Sequence, residues 1–151
     1  MHTRRRLLVI GVGNRDRGDD AVGPIVCDRI ALLGLPDVDT LVFEGSVLDL
    51  PIHWSVNDRV VIVDAAEPAG EPGRISTVDG LAMRLVTPGT VSTHTIDVSA
   101  AIELARALDR LPSALSIIGI EGAEFEFAAP LTPDVERAAQ AVVSGLVPHP
   151  S

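Results

Sequence analysis

The sequence predicts an α/β protein, a three-layer αβα sandwich around a mostly parallel, twisted sheet of about five strands. Three observations carry that expectation. Short apolar runs alternate with helix-period segments along the whole chain. Aromatic residues make up 3% of a chain that is 46% hydrophobic, so aliphatic side chains must fill the interior, as in strands buried on both faces. Finally, residues 11–23, Gly-Val-Gly-Asn-Arg-Asp-Arg-Gly-Asp-Asp-Ala-Val-Gly, stand between the first apolar run and the first amphipathic one. That is the arrangement of a strand, a tight loop and a helix.

The elements follow in order. Residues 7–13 read as the first strand and 22–33 as the first helix, with Val22, Ile25, Val26, Ile30 and Leu33 on one face. Residues 40–44 form a second strand. Residues 46–54 have helical spacing interrupted by Pro51 and stay ambiguous. Arg-Val-Val-Ile-Val-Asp at 59–64 is the clearest buried strand. Turn residues Pro68, Gly70, Pro72 and Gly73 precede a shorter strand at 74–78. A loop at 87–95 leads to a helix from Ile96 to about Leu108, with Thr95 as N-cap and Asp97 in the first turn, where the helix dipole favours an acid. Residues 114–120 are another buried strand. Thr132-Pro133-Asp134 opens the last helix, in which Val135, Ala139, Val142 and Leu146 share a face. No internal repeat or domain-sized linker breaks the 151 residues, so a single domain over 1–151 is expected.

Bulk properties narrow the function classes. A net charge of −9 argues against nucleic acid and against an anionic membrane surface as partners. It suits a basic protein partner, or solubility alone. The single cysteine, Cys27, excludes an internal disulfide, fits a reducing compartment, and falls in the first helical pattern as buried filler. The basic opening before residues 7–10 resembles a signal peptide, but its apolar stretch is too short and runs into a charged loop. No segment approaches the roughly 20 apolar residues of a spanning helix. A cytoplasmic monomer satisfies these observations.

Strand ends of a parallel sheet share one edge, where open α/β folds place their chemistry. Asp20 follows the first strand, Asp64 closes the 59–64 strand, and His94 stands directly ahead of the long helix. Two carboxylates and an imidazole suit a first-row divalent ion such as nickel or zinc, and three protein ligands leave a coordination position open. Each residue also has a structural reading. Asp20 could be an acid at a helix N-terminus, worth about 0.3–1 kcal/mol; Asp64 could cap a turn; His94 could face solvent. Three such residues at one edge make a metal or catalytic site a serious alternative. His2 and His149 are terminal, and His53 beside Trp54 reads as structural or surface. Arg15, Asp16 and Arg17 are loop residues placed to face a partner. Glu121, Glu124 and Glu126 read as a solvated acidic loop that could border the crevice.

Two competing chemistries fit poorly. Gly11 and Gly13 supply the first glycines of a dinucleotide fingerprint, but its third position is Asp16, and the adjacent Asp19 and Asp20 would repel a pyrophosphate. A Ser-His-Asp hydrolase lacks a G-x-S-x-G elbow.

The ordered set of motifs resembles the hydrogenase maturation proteases, which finish nickel–iron hydrogenase large subunits. Gly11-Val-Gly-Asn14 with Gly18-Asp-Asp20-Ala-Val-Gly23 is similar to that family's opening G-x-G-N…D-(D/E)-x-x-G motif. Val61-Ile-Val-Asp64-Ala65 resembles the strand carrying its second acidic ligand, and Ser92-Thr-His94 its histidine segment. Gly119-Ile-Glu121 and Leu131-Thr-Pro133 resemble the closing strand and helix. The resemblance implies an αβα fold and an endopeptidase that removes a C-terminal extension from a large-subunit precursor after nickel insertion. It implies that Asp20, Asp64 and His94 engage nickel held by the precursor, with no permanently bound cofactor. Asn14, Asp19, Glu44 and Gly45 would contact substrate. The chain departs from the pattern in three places: Asp20 where relatives often carry Glu, Ala21 for a frequent Gly, and Phe43-Glu-Gly-Ser46 where Asp-Gly-Gly-Thr is common. A second expectation is a non-catalytic nickel- or precursor-binding maturation chaperone on the same scaffold.

Overall fold

A computed structural model describes residues 5–83 and 93–147. Its strands are β1 (Leu7–Val12), β2 (Val38–Phe43), β3 (Arg59–Ala66), β4 (Ile75–Asp79) and β5 (Ala114–Glu121). They form one sheet in the order β2-β1-β3-β5-β4. The pairs β1–β2, β1–β3 and β3–β5 are parallel, and β4 runs antiparallel to β5. The direction of β4 follows from its connection. The turn-rich link after β3 stays at one edge of the sheet, so the chain re-enters running the other way. Among the described residues, four α-helices, α1 (Val22–Leu32), α2 (Leu50–His53), α3 (Thr93–Ala107) and α4 (Pro133–Leu146), and two short 3-10 turns, Gly18–Ala21 and Gly80–Ala82, complete the fold.

The aliphatic composition becomes two cores, one on each face of the sheet. Val9, Val63 and Ile120 pack against Val22, Val26 and Ile30 of α1 and Val135, Ala139 and Val142 of α4. On the opposite face Leu8, Ile10, Val60 and Ile62 meet Val98, Ala101 and Ile102 of α3 and Trp54 after α2. Each fully buried Val, Ile or Leu contributes about 1.5–3 kcal/mol of transfer free energy. β1 is buried along its whole length, which explains its unbroken apolar run.

Four sequence expectations need correction. Pro51 does not interrupt the 46–54 segment; it sits in the first turn of α2, where its missing N–H costs nothing. The short helix is then tied to the end of α3: Trp54 Nε1 donates to the Arg110 carbonyl at 2.7 Å, and Arg110 donates back to the carbonyls of Pro51 and Trp54 at 3.2 Å. α3 begins at Thr93, so Thr95 lies inside the helix and is no N-cap, and Asp97 lies beyond the first turn. Leu33 is half-exposed because α1 ends there, closed by Gly34 at φ 60°. Lastly, Asp64 does not close β3. The strand continues to Ala66 because β5 pairs with it that far.

At the edge away from the strand C-termini, Asp58 accepts from Arg6 at 2.6 Å and from the Ser55 amide at 2.8 Å. Burial pushes this carboxyl upward, but the Arg6 guanidinium and the Ser55 amide outweigh it and hold the group below the usual carboxylate range. A second ion pair, Arg29 to Glu136 with both bonds at 2.7 Å, joins α1 to α4. No helix among the described residues is long and apolar enough to cross a membrane.

Candidate active site

From β1 the chain steps through α1 to β2 on one side, then crosses to β3 on the other. The boundary between β1 and β3 is therefore the topological switch point, and the crevice opens outside the carboxyl ends of these strands. Val12, the last residue of β1, lies opposite Asp64 of β3. The loop that follows Val12 carries Asp20. One carboxylate thus lies on β3 and the other on a short 3-10 turn, Gly18–Ala21, in the loop after β1, and these two strands flank the switch point.

The glycines of the opening motif bring that loop down onto the sheet. Gly13 has φ 144°, and a Cβ there would stand 2.0 Å from the Asp20 carbonyl oxygen. A Cβ on Gly23 would stand 2.4 Å from the Val63 carbonyl oxygen and 2.8 Å from that of Val12. Hydrogen placed where a methyl would clash lets α1 start directly over β1 and β3. Within the loop the Asn14 amide donates to Asp20 Oδ2 at 2.8 Å. The Asn14 side-chain carbonyl accepts from the Asp16 amide at 2.8 Å, an Asx turn that stiffens the approach. Asn14 is therefore a scaffold for Asp20 as well as a rim residue.

Asp64 is 7% exposed and lines a cavity of about 60 Å³ together with Met83, Val98 and Ile117. Val98 belongs to α3, and His94 is the second residue of that helix, four positions before Val98. The helix that carries His94 therefore packs on the sheet face where Asp64 lies. The His94 side chain is outside the described residues, as is most of the expected 87–95 loop. Among the described residues no three His, Cys, Asp or Glu side chains form a group able to hold a metal.

Asp19 does not fit the role of substrate contact. Its side chain is fully buried and accepts from the amides of Ala123, Glu124 and Thr132 at 2.8, 3.0 and 2.8 Å and from the Thr132 hydroxyl at 2.9 Å. Of two adjacent aspartates, one faces inward as a clamp on the loop after β5, and the other, half-buried, accepts from the Asn14 amide. Glu44 and Gly45 stand at the end of β2, both exposed. The Arg15 amide donates to Glu44 at 3.4 Å, and the Arg15 side chain also pairs with Asp28. Glu121 is buried, not a solvated loop acid; it accepts from the Glu71 amide at 2.6 Å. The Cys27 thiol is buried and pushed up to about 11 by desolvation, which leaves it inert near neutrality.

The family model for hydrogenase maturation proteases matches residues 47–149, about two thirds of the chain. This chain belongs to the hydrogenase maturation protease family. Solved structures agree across almost its full length. It is similar to a hydrogenase 2 maturation peptidase from a Thaumarchaeota archaeon, at 30% identity, TM-score 0.67 and coverage of 94% of this chain and 95% of that one. An endopeptidase from Escherichia coli shares 25% identity at TM-score 0.78, covering 93% and 89%. The NiFe hydrogenase maturation protease HybD from Thermococcus kodakarensis shares the fold at 24% identity and TM-score 0.75, covering 92% and 95%. No curated protein sequence matches significantly. The chain is accordingly a peptidase of hydrogenase maturation, and its five-stranded α/β sheet is the architecture of that family. The matched region contains Asp64 and His94; the opening motif with Asp20 lies before it.

Proposed function

We propose that this protease removes the C-terminal extension of a nickel–iron hydrogenase large-subunit precursor once nickel is in place, and that Asp20, Asp64 and His94 engage that nickel. The observation that carries the reading is the position of Asp64 on β3 and of Asp20 on the loop that follows β1, the two strands flanking the switch point, in a chain of this family. Nickel here is part of the substrate. Its open coordination positions accept carboxylate and imidazole donors, so the protease distinguishes a loaded precursor from an empty one.

The chemistry required of the chain is modest. A carboxylate of the pair would take a proton from the attacking water, and the precursor's nickel would supply Lewis-acid polarisation of the scissile carbonyl. Water adds to the carbonyl carbon, the C–N bond breaks, and the proton passes to the leaving amine. Glu44 and Gly45, exposed beside the crevice, are placed to contact the precursor, and Asn14 holds Asp20 for its task. The reading makes the protein a cytoplasmic monomer that meets its precursor transiently.

The test is release of the C-terminal peptide by Asp20→Ala, Asp64→Ala and His94→Ala, with circular dichroism and thermal melting confirming that each variant is folded. Each replacement is expected to lower the rate at least about 100-fold. Wild-type rates from Asp64→Ala or His94→Ala would contradict the assignment. Stable precursor binding without peptide release by the unsubstituted protein would favour the chaperone alternative.

A further inference from the structure

The loop that delivers Asp20 is built into a second segment, residues 124–128, that none of the chemistry above uses. Arg17 and Phe127 form an antiparallel bridge. The Ala128 amide donates to the Asp16 carbonyl and the Asp19 amide to the Glu124 carbonyl, both at 2.7 Å. The buried Asp19 carboxylate binds the amides of Ala123 and Glu124 from below. A Cβ on Gly18 would stand 2.3 Å from the Glu124 carbonyl oxygen, so the two segments are in close backbone contact. This much bonding fixes the segment rigidly to the site loop.

What the rigid segment displays is an exposed aromatic. Phe127 is 74% exposed, whereas Phe125 packs against the core beside α1 and α4 and Phe43 against the opposite core. The following residue, Ala128, holds φ 65°, a left-handed conformation that non-glycine residues adopt only under local constraint. Arg17, directly opposite Phe127, is exposed too, and its guanidinium has no ion pair among the described residues. Residues directly opposite in an antiparallel pair project to the same side. An aromatic ring and an arginine, immobilised together at a surface, are the residue types that dominate binding energy when a partner covers them.

We propose that Arg17 and Phe127 form an anchoring point for the large-subunit precursor, outside the crevice and next to it, where an apolar side chain of the precursor seats on Phe127 and an acceptor group on Arg17. The assignment rests on the function proposed above. The precursor is favoured over other occupants by continuity: Arg17 is three residues from Asp20 in the same hydrogen-bonded loop, so a polypeptide reaching Asp20 lies against this rim. The pair then acts on affinity and partner choice, not on bond cleavage.

The experiment measures precursor affinity by titration and peptide release by mass spectrometry for wild type, Phe127→Ala, Arg17→Glu and Leu32→Ala. Leu32 is 86% exposed at the far end of α1 and serves as the control for loss of a surface apolar side chain. Phe127→Ala and Arg17→Glu are expected to weaken binding at least about tenfold and raise KM alike, with kcat and melting temperature retained and Leu32→Ala unchanged. Wild-type affinity in both variants, or a fall in kcat at unchanged affinity, would overturn the proposal. So would sedimentation showing that wild type self-associates through Phe127. Failure of the underlying function shows separately, as wild type that binds precursor and releases no peptide, and the affinity comparison then still decides for or against the anchoring pair.

Discussion

Asp19 and Asp20 are neighbours in one short 3-10 turn with different partners: Asp20 accepts from the Asn14 amide, and Asp19 reaches into the interior. Asp19 satisfies three amides and a hydroxyl inside the protein. Asp19→Ala would strand those donors, each unsatisfied buried group costing about 1–3 kcal/mol. We expect a loss of at least about 2 kcal/mol in urea denaturation; a loss under about 0.5 kcal/mol would show that water replaces the carboxylate freely. The sequence shows two equivalent acids, because the donors that select between them lie more than a hundred positions away, in the loop after β5. The place of Asp20 in the loop after the first strand was legible, as was the burial of Cys27 from its apolar neighbours. Cys27 also gives a simple check. With its thiol pushed up to about 11 and its side chain buried, it should resist iodoacetamide in the folded protein and react in denaturant. Rapid alkylation under native conditions would contradict the burial.

The elements were legible wherever hydrophobic period alone decides them. β1, β3, β5 and α4 stand within a residue or two of the expected bounds, and the last helix buries Val135, Ala139 and Val142 as its spacing demands. Where a long-range partner decides, the sequence was silent. β4 takes its direction from β5, β3 gains two residues from the same strand, and α2 is held by Arg110. The close approach of α1 to the sheet is an element-scale feature with a sharp consequence. Gly23→Ala places a methyl against the Val63 and Val12 carbonyl oxygens, forcing α1 outward. The expected cost is about 1–3 kcal/mol, read as a lower melting temperature, together with slower peptide release because Asp20 moves with the helix start. A variant with unchanged melting would show that α1 tolerates displacement.

At the scale of the whole molecule, ion pairs couple stability to pH. Beside Arg29, the Glu136 carboxyl is held below its usual range, the guanidinium bond outweighing a smaller opposing effect of burial. Asp58 is lowered as well, its Arg6 and Ser55 bonds overcoming the larger cost of burial. Groups whose folded pKa is depressed stabilise the protein above their unfolded values, near 4, and lose that contribution as pH falls through the folded pKa. The urea midpoint should therefore stay level between about pH 6 and 8 with respect to these two groups and fall below about pH 4. Arg29→Ala should lower the plateau and make the acid decline shallower; an identical decline would remove Glu136 from the account. The pairs were not legible in sequence, since Arg29 and Glu136 lie on different helices.

The whole molecule also poses the central question, whether two carboxylates at a switch point serve a nickel-dependent cleavage. Mass spectrometry of a nickel-loaded large-subunit precursor incubated with this protease, beside nickel-free precursor and the Asp64→Ala variant, answers it most directly. The account predicts loss of a C-terminal peptide only where nickel and Asp64 are both present. Equal cleavage of nickel-free precursor, or full cleavage by Asp64→Ala, would contradict it.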